Sequence, residues 1–331
     1  MPLLEFPENY FEGEVREGFY VEPLMKRAWA AQLEVLEHVK IVCKRHNIKF
    51  FADFGTMLGA ARHKGFIPWD DDMDITMLRE DLMRFIRYAK EELPESYLVI
   101  NCYDYPEYFN TVIVRLVNSN AIRLDEEFLN EYHGFPFACG LDIFPLDYIP
   151  RDETERQMQK DLLSIVRGTM EAYLQGSEAT DEQKEYLLSQ VQELTGQTID
   201  RSGNIVQQLS KLLDSISAMF EEKDADHVGI AYRMTYLPES MMMHEKAIYE
   251  GTVEVPFEIT TLPVPVGYET YLRQEYGDYM TPVLFEAHEY PFYSAQMRQL
   301  KDFLAKNGAD LSSIGLPDIE IEDFMAHKRE S

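Results

Sequence analysis

The chain has 331 residues, of which 45% are hydrophobic and 27% are charged, as is usual for a globular protein of one or two domains. Its 59 acidic and 31 basic residues give a formal net charge of −28, which repels nucleic acid and anionic lipid headgroups, so we expect no nucleic-acid function. The sequence has no apolar run of about 18 residues, no secretory signal pattern and no closely spaced cysteine pair. This predicts a cytoplasmic protein without a transmembrane segment, a disulfide framework or a cysteine zinc site.

Hydrophobic periodicity predicts alternating helices and strands up to Pro150. Residues 1–22 are rich in aromatic and acidic residues and lack a period, and we interpret them as an arm lying on the body. After the arm, the patterns predict a helix at 24–42, a strand at 48–52, a short helix opening at Gly55, a strand at 73–77, a helix at 82–89, and strands at 97–102, 111–117, 120–124 and 141–144, the last ended by Pro145.

The pattern changes after Pro150. Residues 151–220 have the apolar spacing of helices, whereas the chain from 251 is extended and rich in proline. Helical patterns return near 268–276 and 291–305, and no internal repeat is visible. This order predicts an α+β fold, a mixed sheet flanked by helices with a helical insertion, rather than a regular βαβ succession.

Four carboxylates lie within five residues, Asp70 to Asp74. If the segment is a strand, alternation places Asp72 and Asp74 on one face, with Asp70 beside them if the strand begins that early, while Asp71 points away. Carboxylates on one face can bind Mg²⁺, which prefers oxygen ligands and keeps positions open for a substrate phosphate. The alternative is a solvated acidic turn, but the apolar residues that alternate with the acids favour a metal site.

A glycine and a hydroxyl residue, Gly55 and Thr56, lie upstream of the acidic segment at the predicted start of a helix. Backbone N–H groups at a helix N-terminus, together with the Thr56 hydroxyl, can hold phosphate oxygens. The alternative is a plain turn in which Thr56 is the N-cap. Arg62 and Lys64 follow, and either they contact phosphate or they are ordinary surface cations.

Two charged residues interrupt apolar strand patterns farther along the chain. Asp142 lies in the strand predicted at 141–144, where a lone buried carboxylate is costly unless it binds a metal or accepts hydrogen bonds. Asp142 therefore either completes the metal site or acts as a general base, or it holds a backbone turn. Arg115 interrupts the strand predicted at 111–117, either to reach a phosphate or to form a core salt bridge.

Three segments together resemble the LicD family. The first runs from 51 to 75 and ends in Gly-Phe-Ile-Pro-Trp-Asp-Asp-Asp-Met-Asp-Ile, and it is the most specific. The second is Leu-Asp-Ile-Phe-Pro-Leu-Asp at 141–147, and the third lies within 263–282 and contains Tyr-Gly-Asp-Tyr-Met. The resemblance spans roughly 45–290, with 151–250 matching only loosely.

The resemblance implies a nucleotidyltransferase-like fold related to DNA polymerase beta. It makes Gly55 and Thr56 the glycine-hydroxyl loop, Asp72 and Asp74 the Asp-x-Asp pair, and Asp142 the third catalytic carboxylate. With the residue patterns described above, the candidate metal ligands are Asp70, Asp72, Asp74 and Asp142. The candidate substrate or phosphate contacts are Gly55, Thr56, Gly59, Arg62, Lys64, Arg115, Tyr276 and Asp278, the last two with helix-end packing as the alternative.

The activity that the resemblance implies is transfer of a phospho-alcohol, first of all phosphocholine, from a CDP-alcohol to a glycan hydroxyl, with release of CMP. The acceptor would be a cell-surface glycan such as teichoic acid or lipopolysaccharide, or its lipid-linked precursor, reached from the cytoplasm or the inner face of the membrane. Mg²⁺ is the expected metal, with Mn²⁺ as a substitute, and no zinc is expected. The alternatives are a glycosyltransferase that uses a sugar nucleotide, a nucleotidyltransferase, and a non-catalytic nucleotide-binding protein.

We therefore predict four regions: an N-terminal arm at 1–22, a nucleotidyltransferase-like catalytic core at 23–150, a mainly helical region at 151–250, and a segment at 251–331 that completes the catalytic domain. The sequence specifies neither the donor alcohol, nor the acceptor glycan, nor the oligomeric state.

Overall fold

The computed structural model describes residues 1–105, 112–174, 177–238, 241–283 and 290–314. Its strands are β1 (Glu14–Arg16), β2 (Phe19–Val21), β3 (Phe51–Ala52), β4 (Asp74–Leu78), β5 (Leu98–Ile100), β6 (Val114–Val117), β7 (Gly140–Pro150), β8 (Ala225–Gly229), β9 (His244–Glu245), β10 (Thr252–Phe257) and β11 (Thr260–Pro265). Its α-helices are α1 (Pro23–His46), α2 (Phe54–Arg62), α3 (Arg79–Glu92), α4 (Glu126–Glu131), α5 (Glu153–Tyr173), α6 (Asp181–Thr195), α7 (Ile205–Ser217), α8 (Tyr268–Tyr276) and α9 (Ser294–Lys306).

The central sheet has the strand order β3-β4-β7-β6-β5, and β8 and β9 extend it from β7. The β4–β7 pair is parallel and the other pairs are antiparallel. Helices surround this mixed sheet, so the prediction of an α+β fold with a mixed sheet and helical segments is confirmed. Within the region predicted to be mainly helical, β8 and β9 join the sheet.

Strand β7 is longer than the sequence predicts, because it continues through Pro145. A proline has no N–H to donate to a ladder. The pairing of β7 with β6 ends at Ile143 and its pairing with β8 begins at Asp147, so neither of those ladders needs an N–H from Pro145. The prediction that Pro145 ends the strand is therefore wrong.

The strand predicted at 120–124 is absent from the structure. The Ser119 hydroxyl accepts a hydrogen bond from the Ala121 N–H at 3.1 Å and donates to the Ala121 carbonyl at 2.8 Å, which makes a local turn. The turn replaces the strand ladder that the sequence predicts. The other predicted helices and strands are present, except that residue 111 lies outside the described part of the chain.

Helix α1 is the central element of the core. Pro23 is at its first turn, where a missing N–H costs nothing, and Asn47 ends it in the left-handed conformation. Its Trp29 ring stacks on Phe66 at 4.8 Å between centroids and donates its indole N–H to the Asp70 carbonyl at 3.1 Å. Because most of α1 is buried, it holds the acidic segment against a rigid support.

Helix α5 packs against both α6 and α7, and it also contacts β7. Among the residues that the structure describes, we find no helix with the length and apolar character needed to span a bilayer.

Candidate active site

The two strands at the centre of the sheet bring two carboxylates side by side. Asp74 is the first residue of β4, and its register partner in the parallel ladder is Asp142 of β7. The Asp142 N–H donates to the Met73 carbonyl at 3.0 Å, which fixes this register. Register partners on paired strands point to the same face of a sheet, so the Asp74 and Asp142 carboxylates lie side by side on one face of β4 and β7.

The acidic segment adds more negative charge at the same place. Asp70 and Asp72 precede β4, so they lie in an irregular segment and not on the strand. Burial raises the pKa of Asp74 well above its usual value, and repulsion from Asp72, Asp142 and Asp70 raises it further. These carboxylates thus carry mutually unfavourable charges that a divalent cation would neutralise.

The donor set fits a hard cation. Asp70, Asp71 and Asp72 each offer a carboxylate oxygen, and these oxygens lie within 4.8 Å of one another. Asp71, however, is wholly buried, and its carboxylate accepts a hydrogen bond from the Phe292 N–H. Oxygen-only ligands suit Mg²⁺ or Mn²⁺, and the remaining candidate ligands are Asp70, Asp72, Asp74 and Asp142, each of which lines a cleft.

Helix α2 begins beside these carboxylates. Its N-cap is Asp53, whose carboxylate accepts the Phe54 N–H at 2.8 Å and the Tyr271 hydroxyl, and burial raises the pKa of Asp53 to about 6. The alternative that Thr56 is the N-cap is therefore wrong. Thr56 is buried, and its hydroxyl accepts the Asp74 backbone N–H at 2.8 Å. The α2 N-terminus and the β4 carboxylate are thus tied together.

Two glycines in α2 are needed for different reasons. A Cβ on Gly55 would lie 2.4 Å from the Asp70 carboxylate oxygen, so the missing side chain leaves room for that carboxylate. A Cβ on Gly59 would lie 2.5 Å from the Gly65 carbonyl oxygen, which belongs to backbone that packs closely on the helix. Gly55 therefore shapes the acidic site, whereas Gly59 allows the close packing of α2.

We expect Gly55→Ala to weaken metal binding and Gly59→Ala to lower stability. In Gly55→Ala the flexible Asp70 carboxylate shifts, and we expect Mg²⁺ affinity to fall about three- to tenfold with little loss of thermal stability. In Gly59→Ala rigid backbone must shift, at a cost of roughly 1–3 kcal/mol, so we expect a lower melting temperature. Calorimetric titration with Mg²⁺ and thermal unfolding test both; equal effects of the two substitutions on Mg²⁺ affinity would contradict this division.

Arg115 and Asp142 form a salt bridge across the β6–β7 pair. They are register partners, and the guanidinium donates to both Asp142 carboxylate oxygens at 2.7 Å and 2.7 Å. Of the two interpretations of Arg115, the structure shows the salt bridge, but at the rim of a cleft, because the Arg115 side chain is 61% exposed. The bidentate pair fixes the orientation of the Asp142 carboxylate.

Two clefts meet at the carboxylates. The first, which we call the aromatic cleft, has a volume of about 640 Å³. Its lining residues include five aromatic rings and five acidic side chains, namely Phe54, Trp69, Tyr276, Tyr279, Tyr290, Asp70, Asp72, Asp74, Glu275 and Asp278. The second, which we call the amide cleft, has a volume of about 690 Å³, and its polar lining includes Gln32, Asn120, Gln296, Gln299, Ser119, Arg115 and Asp142. Asp72 lines both clefts, so the acidic segment separates them.

Of the remaining residues predicted to contact substrate, most line the aromatic cleft but Lys64 does not. Arg62 lines the aromatic cleft and donates to the Tyr279 carbonyl at 3.0 Å, and Tyr276 and Asp278 line the same cleft at the end of α8. Lys64 is exposed and lines neither cleft; its carbonyl accepts the Glu258 N–H at 2.8 Å. The structure thus brings Gly55, Arg62, Tyr276 and Asp278 to the aromatic cleft, and it leaves Lys64 away from it.

Glu275 was missed by the sequence analysis. Its side chain lines the aromatic cleft and is only 6% exposed, and the His244 Nε2 atom lies 3.6 Å from its carboxylate. Burial raises the pKa of Glu275 to about 7, and burial lowers the pKa of His244 to about 4. Only the packing of β9 against α8 creates this environment, so no local sequence pattern indicates it.

We expect Glu275→Gln to flatten the dependence of stability on pH. The pKa of Glu275 is higher in the folded protein than in the unfolded chain, so its protonated form stabilises the fold, and this stability falls as pH rises through about 7. At pH 8 the variant should melt roughly 1–3 °C above the wild type, and the gap should close at pH 5. Thermal unfolding between pH 5 and 8 measures this, and an unchanged profile would contradict a raised pKa.

The comparisons with known proteins point to one family. Residues 47–133 match the family model described as LicD/FKTN/FKRP, nucleotidyltransferase domain. Lipopolysaccharide cholinephosphotransferase LicD of Haemophilus influenzae is 25% identical over 255 residues, which are 75% of this chain and 88% of that protein. Ribitol 5-phosphate transferase FKRP of Mus musculus is 35% identical over 66 residues, which are 20% of this chain and 13% of that protein. The matched family segment contains Gly55 and the whole acidic segment, and it ends before Asp142.

Proposed function

Because this chain carries a nucleotidyltransferase domain of the LicD family, we propose that it transfers a phospho-alcohol, first of all phosphocholine, from a CDP-alcohol to a glycan hydroxyl. Two of the similar proteins are named for transfer of a phosphate that bears an alcohol, choline in one and ribitol in the other. The observation that carries the proposal is the pairing of Asp74 with Asp142 on adjacent strands, with Asp72 beside them, where two clefts meet.

The proposed roles begin with the donor. Asp70, Asp72 and Asp74 would hold Mg²⁺, which when bound offsets the charge of the diphosphate and of the transferring phosphate. The N-terminus of α2 lies in the aromatic cleft at Gly55, where its N–H groups and helix dipole favour phosphate oxygens. The aromatic side chains of this cleft offer surfaces for the cytosine ring and for a cationic alcohol such as choline.

The acceptor step uses Asp142. A glycan hydroxyl next to its carboxylate would attack the phosphorus that bears the alcohol, the bond from that phosphorus to the oxygen of CMP would break, and the hydroxyl proton would pass to Asp142. Arg115 holds both oxygens of Asp142, so the carboxylate is already oriented before a substrate arrives. Catalysis in this proposal is mainly positioning and electrostatic stabilisation.

The experiment is calorimetric titration with CDP-choline, CDP-ribitol, CDP-glycerol, UDP-glucose and ATP, each with Mg²⁺ and with chelator. We expect tight binding of one CDP-alcohol that disappears with chelator, which would also identify the alcohol. Preference for UDP-glucose would favour a glycosyltransferase, and preference for ATP would favour a nucleotidyltransferase. Binding of every nucleotide that is indifferent to metal would contradict the proposal.

A further inference from the structure

The amide cleft lies on the opposite side of the acidic segment from the aromatic cleft. Asp74 lines only the aromatic cleft, Asp142 lines only the amide cleft, and Asp72 lines both. Asp74 and Asp142 are nevertheless register partners on adjacent strands, so the clefts meet within a single strand spacing. A group transferred between ligands in the two clefts would therefore pass directly over the carboxylates.

The lining of the amide cleft combines apolar surface with amide groups. Its apolar side chains include Leu98, Ile100, Val117, Ile122 and Phe292, each of which is only half-buried, so their apolar surface faces the cleft. Around them stand the amides of Gln32, Asn120, Gln296 and Gln299 and the hydroxyl of Ser119. An amide offers both donors and an acceptor, as a sugar hydroxyl does, while the C–H faces of a sugar suit apolar side chains.

Two of these polar side chains are available to bind a ligand, and two others are held in place by hydrogen bonds. Asn120 and Gln299 are exposed, and their side-chain amides have no hydrogen bond to any other described residue. Gln296 pairs with the backbone of Ala138, accepting at 2.9 Å and donating at 3.1 Å, which holds α9 as a wall of the cleft. Gln32 is 1% exposed, its amide donates to the Asp71 carbonyl at 2.7 Å, and its Oε1 has no hydrogen-bond partner within the described chain. A buried amide oxygen without a partner favours a ligand or water that donates to it.

The charges of the amide cleft exclude an anionic ligand. Its charged lining residues, within the described ranges, are Asp71, Asp72, Asp142 and Arg115. Arg115 is the single cation among these residues, and its Nε and Nη2 groups both donate to the Asp142 carboxylate. A phosphorylated or carboxylated sugar would meet net negative charge here, and the one cation of the described lining already pairs with Asp142.

We propose that the amide cleft binds the acceptor as an uncharged carbohydrate, with the accepting hydroxyl next to Asp142, while the donor occupies the aromatic cleft. This inference rests on the proposed function, because the second substrate of that reaction is a glycan hydroxyl. It assigns Asn120 and Gln299 as acceptor-binding residues and separates them from the residues that bind the donor.

The test measures two ligands independently on the full chain. Saturation-transfer NMR measures binding of methyl β-glucoside, methyl β-galactoside and methyl N-acetyl-β-galactosaminide, with glucose 6-phosphate as the anionic probe. Calorimetry measures CDP-choline with Mg²⁺. The variants are Asn120→Ala combined with Gln299→Ala, which removes two amides, and Ala121→Trp, which fills the cleft from an exposed lining position. Gln197→Ala, at an exposed amide in the loop after α6, is the matched control.

We expect at least one methyl glycoside to bind the wild type. The double variant should weaken that binding about tenfold, since each lost hydrogen bond is worth a fewfold change. Ala121→Trp should abolish glycoside binding, and the affinity for CDP-choline should change less than about twofold in both variants and in Gln197→Ala.

Four results would overturn the inference: no glycoside binds the wild type, glycoside binding survives Ala121→Trp, glucose 6-phosphate binds better than the neutral glycosides, or Ala121→Trp abolishes CDP-choline binding. If the wild type binds no CDP-alcohol at all, the proposed function fails, yet the glycoside measurements still decide whether the amide cleft binds sugars.

Discussion

Asp74→Asn is expected to lower kcat/KM at least a thousandfold, about 4 kcal/mol of transition-state stabilisation, while the protein stays folded. Asp74 is repelled by the charges of Asp72, Asp142 and Asp70, and it is held by the Thr56 hydroxyl and by the β4–β7 register. An asparagine keeps the shape and the backbone contacts but loses the charge that would hold the metal. The measurement is the rate of CMP release from the CDP-alcohol selected by calorimetry.

The same substitution is expected to stabilise the metal-free protein. Because burial and repulsion raise the pKa of Asp74, its ionised form is unfavourable in the folded state at neutral pH, and asparagine removes that charge. The wild type should gain melting temperature on addition of Mg²⁺, and Asp74→Asn should not. Asp226→Asn, at an exposed salt bridge on β8, is the control and should leave both the rate and the Mg²⁺ effect unchanged. A folded Asp74→Asn protein with wild-type activity would remove the carboxylates from the mechanism.

The residues of the site that the sequence predicts are those whose positions follow from local sequence patterns. Alternation along β4 identifies Asp74 as a strand carboxylate, and the glycine before a helix predicts the start of α2 at Gly55. Asp142 can be identified as a candidate from the sequence because a carboxylate buried in an apolar strand is costly unless it binds a metal or accepts hydrogen bonds. That Asp74 and Asp142 face each other depends on the β4–β7 register, which no local pattern specifies.

The remaining features depend on contacts between distant segments. Glu275 lies near His244 only because α8 packs beside β9, and the aromatic and amide clefts combine residues from both ends of the chain. The strand predicted at 120–124 failed because the Ser119 turn competes with a ladder. Sequence reasoning therefore finds the candidate carboxylates more readily than the surfaces of the two clefts.

A buried ionic network joins the central sheet to the helical region. Arg79, the first residue of α3, donates to both Asp147 oxygens at 2.7 Å and 3.0 Å and to Asp214 of α7 at 2.6 Å. The Tyr103 hydroxyl donates to the other Asp214 oxygen at 2.5 Å. Asp147 is wholly buried, and burial raises its pKa even with Arg79 beside it. The network therefore ties α7 to β7 and to the residue that follows β4.

Arg79→Met is expected to lower the free energy of unfolding by about 3–5 kcal/mol, because it leaves two buried carboxylates without a cation. The measurement is urea-induced unfolding at pH 7. The loss should shrink as pH falls, since burial holds the pKa of Asp147 above its value in the unfolded chain and this carboxylate becomes neutral on acidification.

The matched control is the triple variant Arg79→Met, Asp147→Asn and Asp214→Asn, which removes the cation and both carboxylate charges together. Replacing a whole buried ionic group is often close to neutral, so the triple variant should recover most of the stability lost by Arg79→Met alone. If the single substitution costs less than about 1 kcal/mol, or if the triple variant is the less stable of the two, two buried carboxylates without a cation are not the cause of the loss in Arg79→Met. Recovery would instead show that α5, α6 and α7 keep their place by apolar packing, and that Arg79 is required because the two carboxylates are buried beside it.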